Sequence, residues 1–391
     1  MSHRISLSTA DLGGTGVRRN FVADPSVEGS SYAAAYDRTT LWYDAFWRDG
    51  RVYLVCPKLL NFAPLLRKAV FRLDGRIAMI AKRRSYQRYD ILELLSRVCP
   101  VEISVNGPGF EVATPVSPDE TDRFACLNTH FTMTRNSRPE WIRDYAIFNR
   151  KKHGLEAMVL FDNGSTEYPL STLEDALNGV GLADFAIISV PLRYGRKTTR
   201  NSSRAKFLQT ALMNIARLRI LGRARAVLNA DIDELVWARQ GSVFDKAVNS
   251  YLGLSVFSGE WRYPNADSAA RSRHISHDHR WEQSRACPFK YCIVPQGRLR
   301  NFSWDVHRVT GLPFKRMLRR ADVGFIHCHQ VSTNWKALPE RRGVPGNAGS
   351  WQTLDLTFDS RTRQLLDEGF ASQSCWQQTK ACAYEREMWP L

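Results

Sequence analysis

Three carboxylates fall within four residues, at Asp231, Asp233 and Glu234, in the segment Asn229-Ala230-Asp231-Ile232-Asp233-Glu234. Side chains this close repel one another unless a cation or hydrogen-bond donors neutralise them. Hard oxygen ligands suit Mg²⁺ or Mn²⁺, which usually complete their coordination with phosphate oxygens and water. Such an ion can stabilise the charge on a departing diphosphate. The motif therefore predicts a metal-assisted site with Asp231 and Asp233 as ligands.

The residues around this motif must form elements that can position it. Strand and helix patterns alternate here, which predicts βαβ units and a largely parallel sheet. In open α/β sheets, ligands bind at the carboxyl ends of the strands. Asp162 and the Asp231 motif both follow strands, so we expect them to share a site. The predicted strands are Phe124–Thr132, Ala157–Phe161, Phe185–Val190 and Ala226–Leu228, and the helices are Pro139–His153, Leu173–Leu177 and Ser203–Leu221.

The first part of the chain has a different pattern. Asp49-Gly50 lies between two apolar segments, which indicates a β-hairpin, and Arg88–Val98 is predicted as a short helix. The predicted domains are a small β-rich accessory domain at 1–120, a catalytic α/β domain at 121–335 and a polar, helical C-terminal extension at 336–391. In that extension, Arg361–Phe370 is the predicted helix.

The composition narrows the functional classes. The chain has 391 residues, and its net charge of +16 would attract nucleic acid, anionic membrane surfaces or sugar nucleotides. It contains neither a P-loop nor a glycine-rich dinucleotide fingerprint. We find no apolar run of about 18 residues and no signal-peptide core, so we expect a cytoplasmic protein with reduced thiols.

Four segments resemble the glycosyltransferase family 2-like group and the related family 92-type inverting transferases. The resemblance covers about Cys126 to Lys336 and implies a GT-A fold, with a nucleotide-binding and an acceptor-binding half on one sheet. The segments are Met133-Thr134-Arg135-Asn136 with Glu140–Tyr145, Val159–Ser165, Asn229–Leu235 and Phe289–Pro295.

The resemblance also implies roles for individual residues. Asp231 and Asp233 would bind the metal and the diphosphate, and Glu234 would brace them. A late histidine, His327 or His329, would be a further metal ligand. The family commonly has Lys-Asn-Glu after the first strand, whereas this chain has Arg135-Asn136-Ser137. The expected donor-binding residues are Arg135, Asn136, Asp162, Asn163, Asp231 and Lys290.

Two assignments remain open at this stage. An inverting transfer needs a carboxylate base to deprotonate the acceptor hydroxyl, and Glu260, Asp278 and Asp305 are unranked candidates. A retaining mechanism would not need one. His274, His277 and His279 are predicted as polar surface residues. The alternative is a zinc site formed with Cys287 and Cys292.

The sequence thus predicts a metal-dependent hexosyltransferase in surface-polysaccharide assembly. We expect Mn²⁺ or Mg²⁺, a nucleotide-sugar donor (a UDP-sugar favoured) and a glycan or lipid-linked acceptor. The basic surface suggests peripheral contact with the inner face of an anionic membrane, and nucleic acid is not an expected partner. The alternatives are a nucleic-acid-binding protein, another phosphoryl-transfer enzyme or an inactive GT-A scaffold.

Overall fold

The first part of the molecule is built mainly from strands. The computed structural model describes residues 3–200, 202–264, 273–312, 317–333 and 353–371. The strands up to residue 115 are β1 (Ala10–Asp11), β2 (Thr40–Trp42), β3 (Asp44–Arg48), β4 (Arg51–Pro57), β5 (Val70–Leu73), β6 (Arg76–Ala78), β7 (Ile80–Ser85), β8 (Tyr89–Leu95), β9 (Glu102–Gly107) and β10 (Phe110–Pro115). The helices are α1 (Pro25–Glu28), α2 (Ser30–Ala35) and α3 (Phe62–Arg67).

Most of these strands form two antiparallel sheets of four, in the orders β10-β9-β5-β6 and β3-β4-β8-β7. The predicted hairpin is confirmed: β3 and β4 pair across Asp49 and Gly50. Both turn residues have positive φ, 49° and 76°, which matches the twist of a tight hairpin and is easiest for Asp, Asn and Gly.

The predicted helix at Arg88–Val98 is wrong, because most of this segment is strand β8. β8 lies between β4 and β7, and six of its seven residues are buried. Its acids Asp90 and Glu93 are spaced as on one face of a helix, but each pairs with an arginine of β7 instead. Arg83 Nη2 lies 3.0 Å from Asp90 Oδ1, and Arg84 Nε lies 2.6 Å from Glu93 Oε1.

The remaining elements alternate between strand and helix before the chain becomes mostly strand. They are β11 (Asn128–Thr134), α4 (Pro139–His153), β12 (Ala157–Asp162), α5 (Leu170–Asn178), β13 (Asp184–Ser189), α6 (Phe207–Ile215), β14 (Ala226–Asn229), β15 (Glu234–Ala238), α7 (Val243–Val248), β16 (Leu254–Arg262), β17 (His279–Arg280), β18 (Lys290–Ile293), β19 (Ser303–Asp305), β20 (Arg308–Thr310), β21 (Arg319–Cys328), β22 (Thr357–Phe358) and α8 (Ser360–Phe370).

Several predicted elements are confirmed with small shifts. Helix α4 begins at Pro139 and ends before Gly154, which has the left-handed φ of 65° at its C-cap. The helix predicted over Ser203–Leu221 is shorter. It starts at Phe207, and its last turn, Ala216–Ile220, has π-helical hydrogen bonding.

An eight-stranded mixed sheet forms the centre of the molecule, in the order β13-β12-β11-β14-β18-β16-β21-β15. The first four strands in this order are parallel. The chain builds outward from β11 to β12 and β13, then returns to place β14 on the other side of β11. This reversal makes the carboxyl ends of β11 and β14 a topological switch point, where α/β sheets bind ligands.

Alternate residues of the central strands pack against different layers, as the two-residue period of a strand requires. Phe131 and Val159 belong to a core shared with α6 and with Phe46 and Val55 of the N-terminal strands. Leu160 of β12 faces the other side, toward α4, α5 and α8. The central sheet is therefore covered on both faces.

The N-terminal segment pairs with the edge of the central sheet, where Ile5 N donates to Ile187 O. Helix α8 confirms the predicted helix at Arg361–Phe370, whereas residues 336–352 and 372–391 of the predicted extension lie outside the described residues. The domain limits themselves remain a prediction. Among the described helices, none has the length and apolar character needed to cross a bilayer.

Candidate metal and nucleotide site

The turn after β14 carries the acidic motif, and its backbone is fixed at three carbonyl groups. Two buried histidine rings and one backbone N–H donate to these carbonyls. The pairs are His130 Nε2 to Ala230 O (2.9 Å), His274 Nε2 to Ile232 O (2.8 Å) and Cys328 N to Asp233 O (2.7 Å). The carboxylates therefore project from a turn whose main chain is held from three directions.

Lys290, at the start of β18, neutralises part of the acidic motif. Its side chain is 1% exposed, and its Nζ lies 2.5 Å from Asp231 Oδ2 and 2.9 Å from Glu234 Oε2. Glu234 Oε2 also accepts a hydrogen bond from the backbone N of Asp231. Burial alone would lower the pKa of Lys290, yet the two carboxylates hold that pKa above its usual value.

His327, near the end of β21, closes a second group of possible ligands. Its Nε2 lies 3.1 Å from Asp233 Oδ2, and its Nδ1 lies 3.9 Å from Glu234 Oε1. One ligand atom from each of Asp233, Glu234 and His327 lies within 4.8 Å of the others. These three residues could therefore contact one divalent cation from one side.

Two properties of this set are those expected of a cation site. The Oδ1 atom of Asp233 is buried and has no hydrogen-bond partner among the described residues, and a buried acceptor of this kind is costly unless something binds it. In addition, burial raises the pKa of Glu234 to about 7, a shift that Lys290 opposes. A divalent ion would favour the charged form of the same carboxyl group.

The ring of His327 is held between aromatic and sulfur neighbours. It stacks on the indole of Trp261 at a centroid distance of 3.9 Å and with the planes inclined by 16°. Its Nδ1 lies 3.8 Å from the Sγ of buried Cys287. Burial would lower the pKa of His327, but the charges of Asp233 and Glu234 and the hydrogen bond to Asp233 raise it well above its ordinary value.

Four predicted donor residues lie together at the ends of β11 and β12 and organise a loop. Asp162 Oδ2 accepts from Ser165 N, and Asn136 N donates to Ser165 Oγ. The Asn136 side chain accepts from the backbone N of Thr166. Asn163 Nδ2 donates to two backbone carbonyls, at Val190 and Leu192, and the carbonyl of Arg135 accepts from Thr333 Oγ1.

The three candidate bases are dispersed. Glu260 pairs with Arg262 and is 72% exposed, and Asp278 pairs with His279 and Arg363. Asp305 contacts Arg88 and lies 3.4 Å from Arg308 Nε. Within the described ranges, no hydrogen bond or ion pair joins any of the three carboxylates to Asp233 or His327.

Of the two histidines His327 and His329, only His327 belongs to the group of possible metal ligands. His329 lies apart from the three clustered ligands, and its ring packs against Tyr263 at a centroid distance of 4.9 Å. Burial lowers the pKa of His329 to about 4. His327 therefore has the better geometry of the two histidines that the sequence left open.

The prediction that His274 and His277 are surface residues is wrong, because both are fully buried. His277 Nε2 lies 2.7 Å from His329 O, and His274 supports the acidic turn. Asp144 Oδ2 of α4 lies 3.8 Å from His274 Nδ1 and accepts from Arg273 Nε at 2.8 Å. The carbonyl groups that His274 and His277 contact at Ile232 and His329 lie 42 and 52 residues away in the sequence. No local spacing in the sequence therefore indicated that these two histidines are buried.

Comparison with known proteins leaves the family open. No protein-family model matches the chain, and the search of curated proteins gave no significant match. Among solved structures, S. aureus TarS 1–349 in complex with UDP matches at 14% identity and a TM-score of 0.27. The match covers 47% of this chain and 52% of that one, so the chain spans about half of the TarS structure. At that TM-score the two folds cannot be equated, and the family assignment remains a prediction.

Proposed function

We propose that the chain is a glycosyltransferase of the GT-A type, which moves a sugar from a nucleotide-sugar donor to a glycan or lipid-linked acceptor. A UDP-sugar is the favoured donor, and surface-polysaccharide assembly is the favoured process. The proposal rests on the chain's own residues, with the motif resemblance as its second support.

One observation supports the proposal best. Asp231, Asp233, Glu234, Lys290 and His327 come from three separated segments and meet after β14 at the switch point of the sheet. A buried acidic cluster costs stability unless it is compensated. Its position where α/β sheets bind ligands favours a binding role for the cluster over a purely structural one.

The ligand set suggests which ion would bind. Asp233, Glu234 and His327 would hold it, with the proton of the His327 ring released as the metal binds, because only a neutral imidazole is a ligand. A mixed carboxylate and imidazole set favours Mn²⁺ over Mg²⁺, which prefers oxygen ligands. When bound, the ion would supply positive charge to the diphosphate leaving group.

The chain's other residues would orient these groups. Lys290 bridges Asp231 and Glu234 and offsets part of their charge, and Trp261 stacks on the His327 ring. We propose that the loop shaped by Asp162 and Asn136 borders the nucleotide, with Arg135 and Asn163 beside it.

Calorimetric titration of UDP and GDP, each with and without Mn²⁺, tests the proposal. We expect Mn²⁺-dependent binding of one nucleotide, weakened more than about tenfold in Asp231→Asn/Asp233→Asn, a loss of about 1.4 kcal/mol or more. Asp322→Asn is the matched control, because Asp322 lies near the other end of β21 from His327 and pairs with Arg320 and Lys246 at the surface.

The control should bind as the unmodified chain does. Failure of both nucleotides to bind a folded protein would contradict a donor site. Binding that is indifferent to Mn²⁺ and to the double substitution would place the nucleotide elsewhere.

A further inference from the structure

The edges of the two N-terminal sheets carry basic and apolar side chains that no described element covers. Residues 67–84 contain seven Lys or Arg and a single acid, Asp74. Arg83 and Arg84 are paired with Asp90 and Glu93. The other five cations, Arg67, Lys68, Arg72, Arg76 and Lys82, form no ion pair within the described ranges.

Apolar side chains are exposed among these cations. Val70, Ile77 and Met79 are 40%, 74% and 82% exposed. Strands β5 and β6 pair so that Arg72 lies opposite Ile77, and the two-residue period places Val70 and Met79 on the same side as this pair. Arg76 lies opposite buried Leu73 and therefore on the other side of β6. We call these three apolar residues and the other four unpaired cations the cationic face.

A groove of about 610 Å³ runs along this face between α3, β5, β6 and β7. Buried Leu66, Phe71 and Leu92 line it, together with the exposed side chains of Ile77 and Met79. The other acids of the β5–β6 sheet, Glu102 and Glu111, lie on β9 and β10. The positive charge is therefore concentrated on the side of β6 and β7.

We propose that the cationic face docks the protein on an anionic lipid bilayer, with Ile77 and Met79 entering the interface and the four cations contacting lipid headgroups. Each Lys or Arg near an anionic membrane surface contributes about 1 kcal/mol, and exposed apolar side chains add to binding. A neutral bilayer provides only the second contribution, so binding depends on anionic lipid.

The chemistry of the face favours a bilayer over single-stranded nucleic acid and over a second copy of the chain. Single-stranded nucleic acid is bound through stacking aromatic side chains, and the one aromatic residue in 67–84, Phe71, is buried. An isologous dimer would place this positive face against itself. Neither alternative uses exposed aliphatic side chains surrounded by unpaired cations as a bilayer does.

Vesicle sedimentation with the full chain tests the proposal. The vesicles are phosphatidylcholine alone or phosphatidylcholine mixed with phosphatidylglycerol. We expect binding to the mixed vesicles only, decreasing with added salt. Arg67→Gln/Lys68→Gln/Lys82→Gln should weaken partitioning roughly a hundredfold, at about 1 kcal/mol for each charge. Ile77→Ser/Met79→Ser should weaken it at unchanged charge.

The matched control removes three equally exposed cations from other places, as Arg143→Gln/Arg200→Gln/Arg319→Gln. All substituted side chains are exposed, and circular dichroism checks that each variant is folded. The proposal is overturned if the unmodified chain ignores anionic vesicles, if the control triple weakens binding equally, or if the Ile77/Met79 variant binds normally. Binding of duplex DNA, lost in the first triple while vesicles are ignored, would assign the face to nucleic acid. Vesicle binding needs no nucleotide, so this test is independent of the donor-site test.

Discussion

Two charged regions of this molecule follow opposite rules. In the acidic cluster after β14, buried Lys290 lies within a few ångströms of buried Glu234 and partly exposed Asp231 and compensates their charge. On the cationic face, exposed cations lie side by side without carboxylate partners among the described residues. Buried charge requires exact partners because desolvation is costly, whereas exposed charge is tolerated singly and acts collectively.

Lys290→Met gives the largest effect that this comparison predicts. The substitution leaves Glu234 and Asp231 close together without their ammonium partner, and breaking a buried ion pair costs about 3–5 kcal/mol. Urea unfolding measures the loss. Lys246→Met is the matched control, since Lys246 pairs with half-exposed Asp322 and should cost about 1 kcal/mol or less. Equal losses in the two variants would remove the distinction between the regions.

A buried histidine outside the acidic cluster makes the stability of the fold depend on pH. The ring of His153 accepts from Val243 N and donates to Val236 O, so its neutral form is held in place. Burial lowers the pKa of His153 to about 4. Because the unfolded chain binds this proton at pH below about 6.5 and the folded chain does not, stability falls as the pH drops from 6.5 to 4.

The loss of stability is set by the difference between the pKa of His153 in the unfolded chain and in the folded chain. The free energy of unfolding falls by about 3 kcal/mol between pH 6.5 and pH 4. Urea unfolding at several pH values should show a smaller slope in His153→Gln, by roughly one proton, even if that variant is less stable at neutral pH. Identical slopes would mean that His153 is not held neutral by the fold.

The buried supports of the acidic turn provide a third test. His274→Phe removes the donor to Ile232 O and a neighbour of Asp144, which keeps Arg273 as its partner. A carbonyl left unpaired in the interior costs about 1–3 kcal/mol. We also expect weaker Mn²⁺-dependent nucleotide binding, because Asp231 and Asp233 flank the released residue. A loss of stability with unchanged nucleotide affinity would show that the hydrogen bond from His274 to Ile232 O supports only the fold.

Features that depend on a local residue pattern could be predicted from the sequence. Alternating apolar segments predicted β11, α4 and β12, and adjacent acids predicted the Asp231 turn. Long-range partners were not visible: a helix was predicted at Arg88–Val98, whereas Asp90 and Glu93 in this segment bind arginines of a neighbouring strand. His274 and His277 occur in a polar segment, and only carbonyls brought by the fold explain their burial. The same holds for Lys290, whose carboxylate partners lie more than fifty residues away.

Strand β7 carries both an unpaired exposed cation and a cation paired with a buried carboxylate. It gives the smallest expected change in the free energy of unfolding. Lys82 has no carboxylate partner among the described residues, whereas Arg84, two positions later, pairs with Glu93, whose side chain is 2% exposed. Lys82→Gln should change the free energy of unfolding by no more than about 0.5 kcal/mol, while Arg84→Gln should cost about 1–3 kcal/mol because it weakens the compensation of a buried carboxylate. Urea unfolding of the two variants, each with the same loss of charge, measures the difference. If Lys82→Gln were the more damaging, Lys82 would serve the fold, and its exposure would no longer argue for a binding surface.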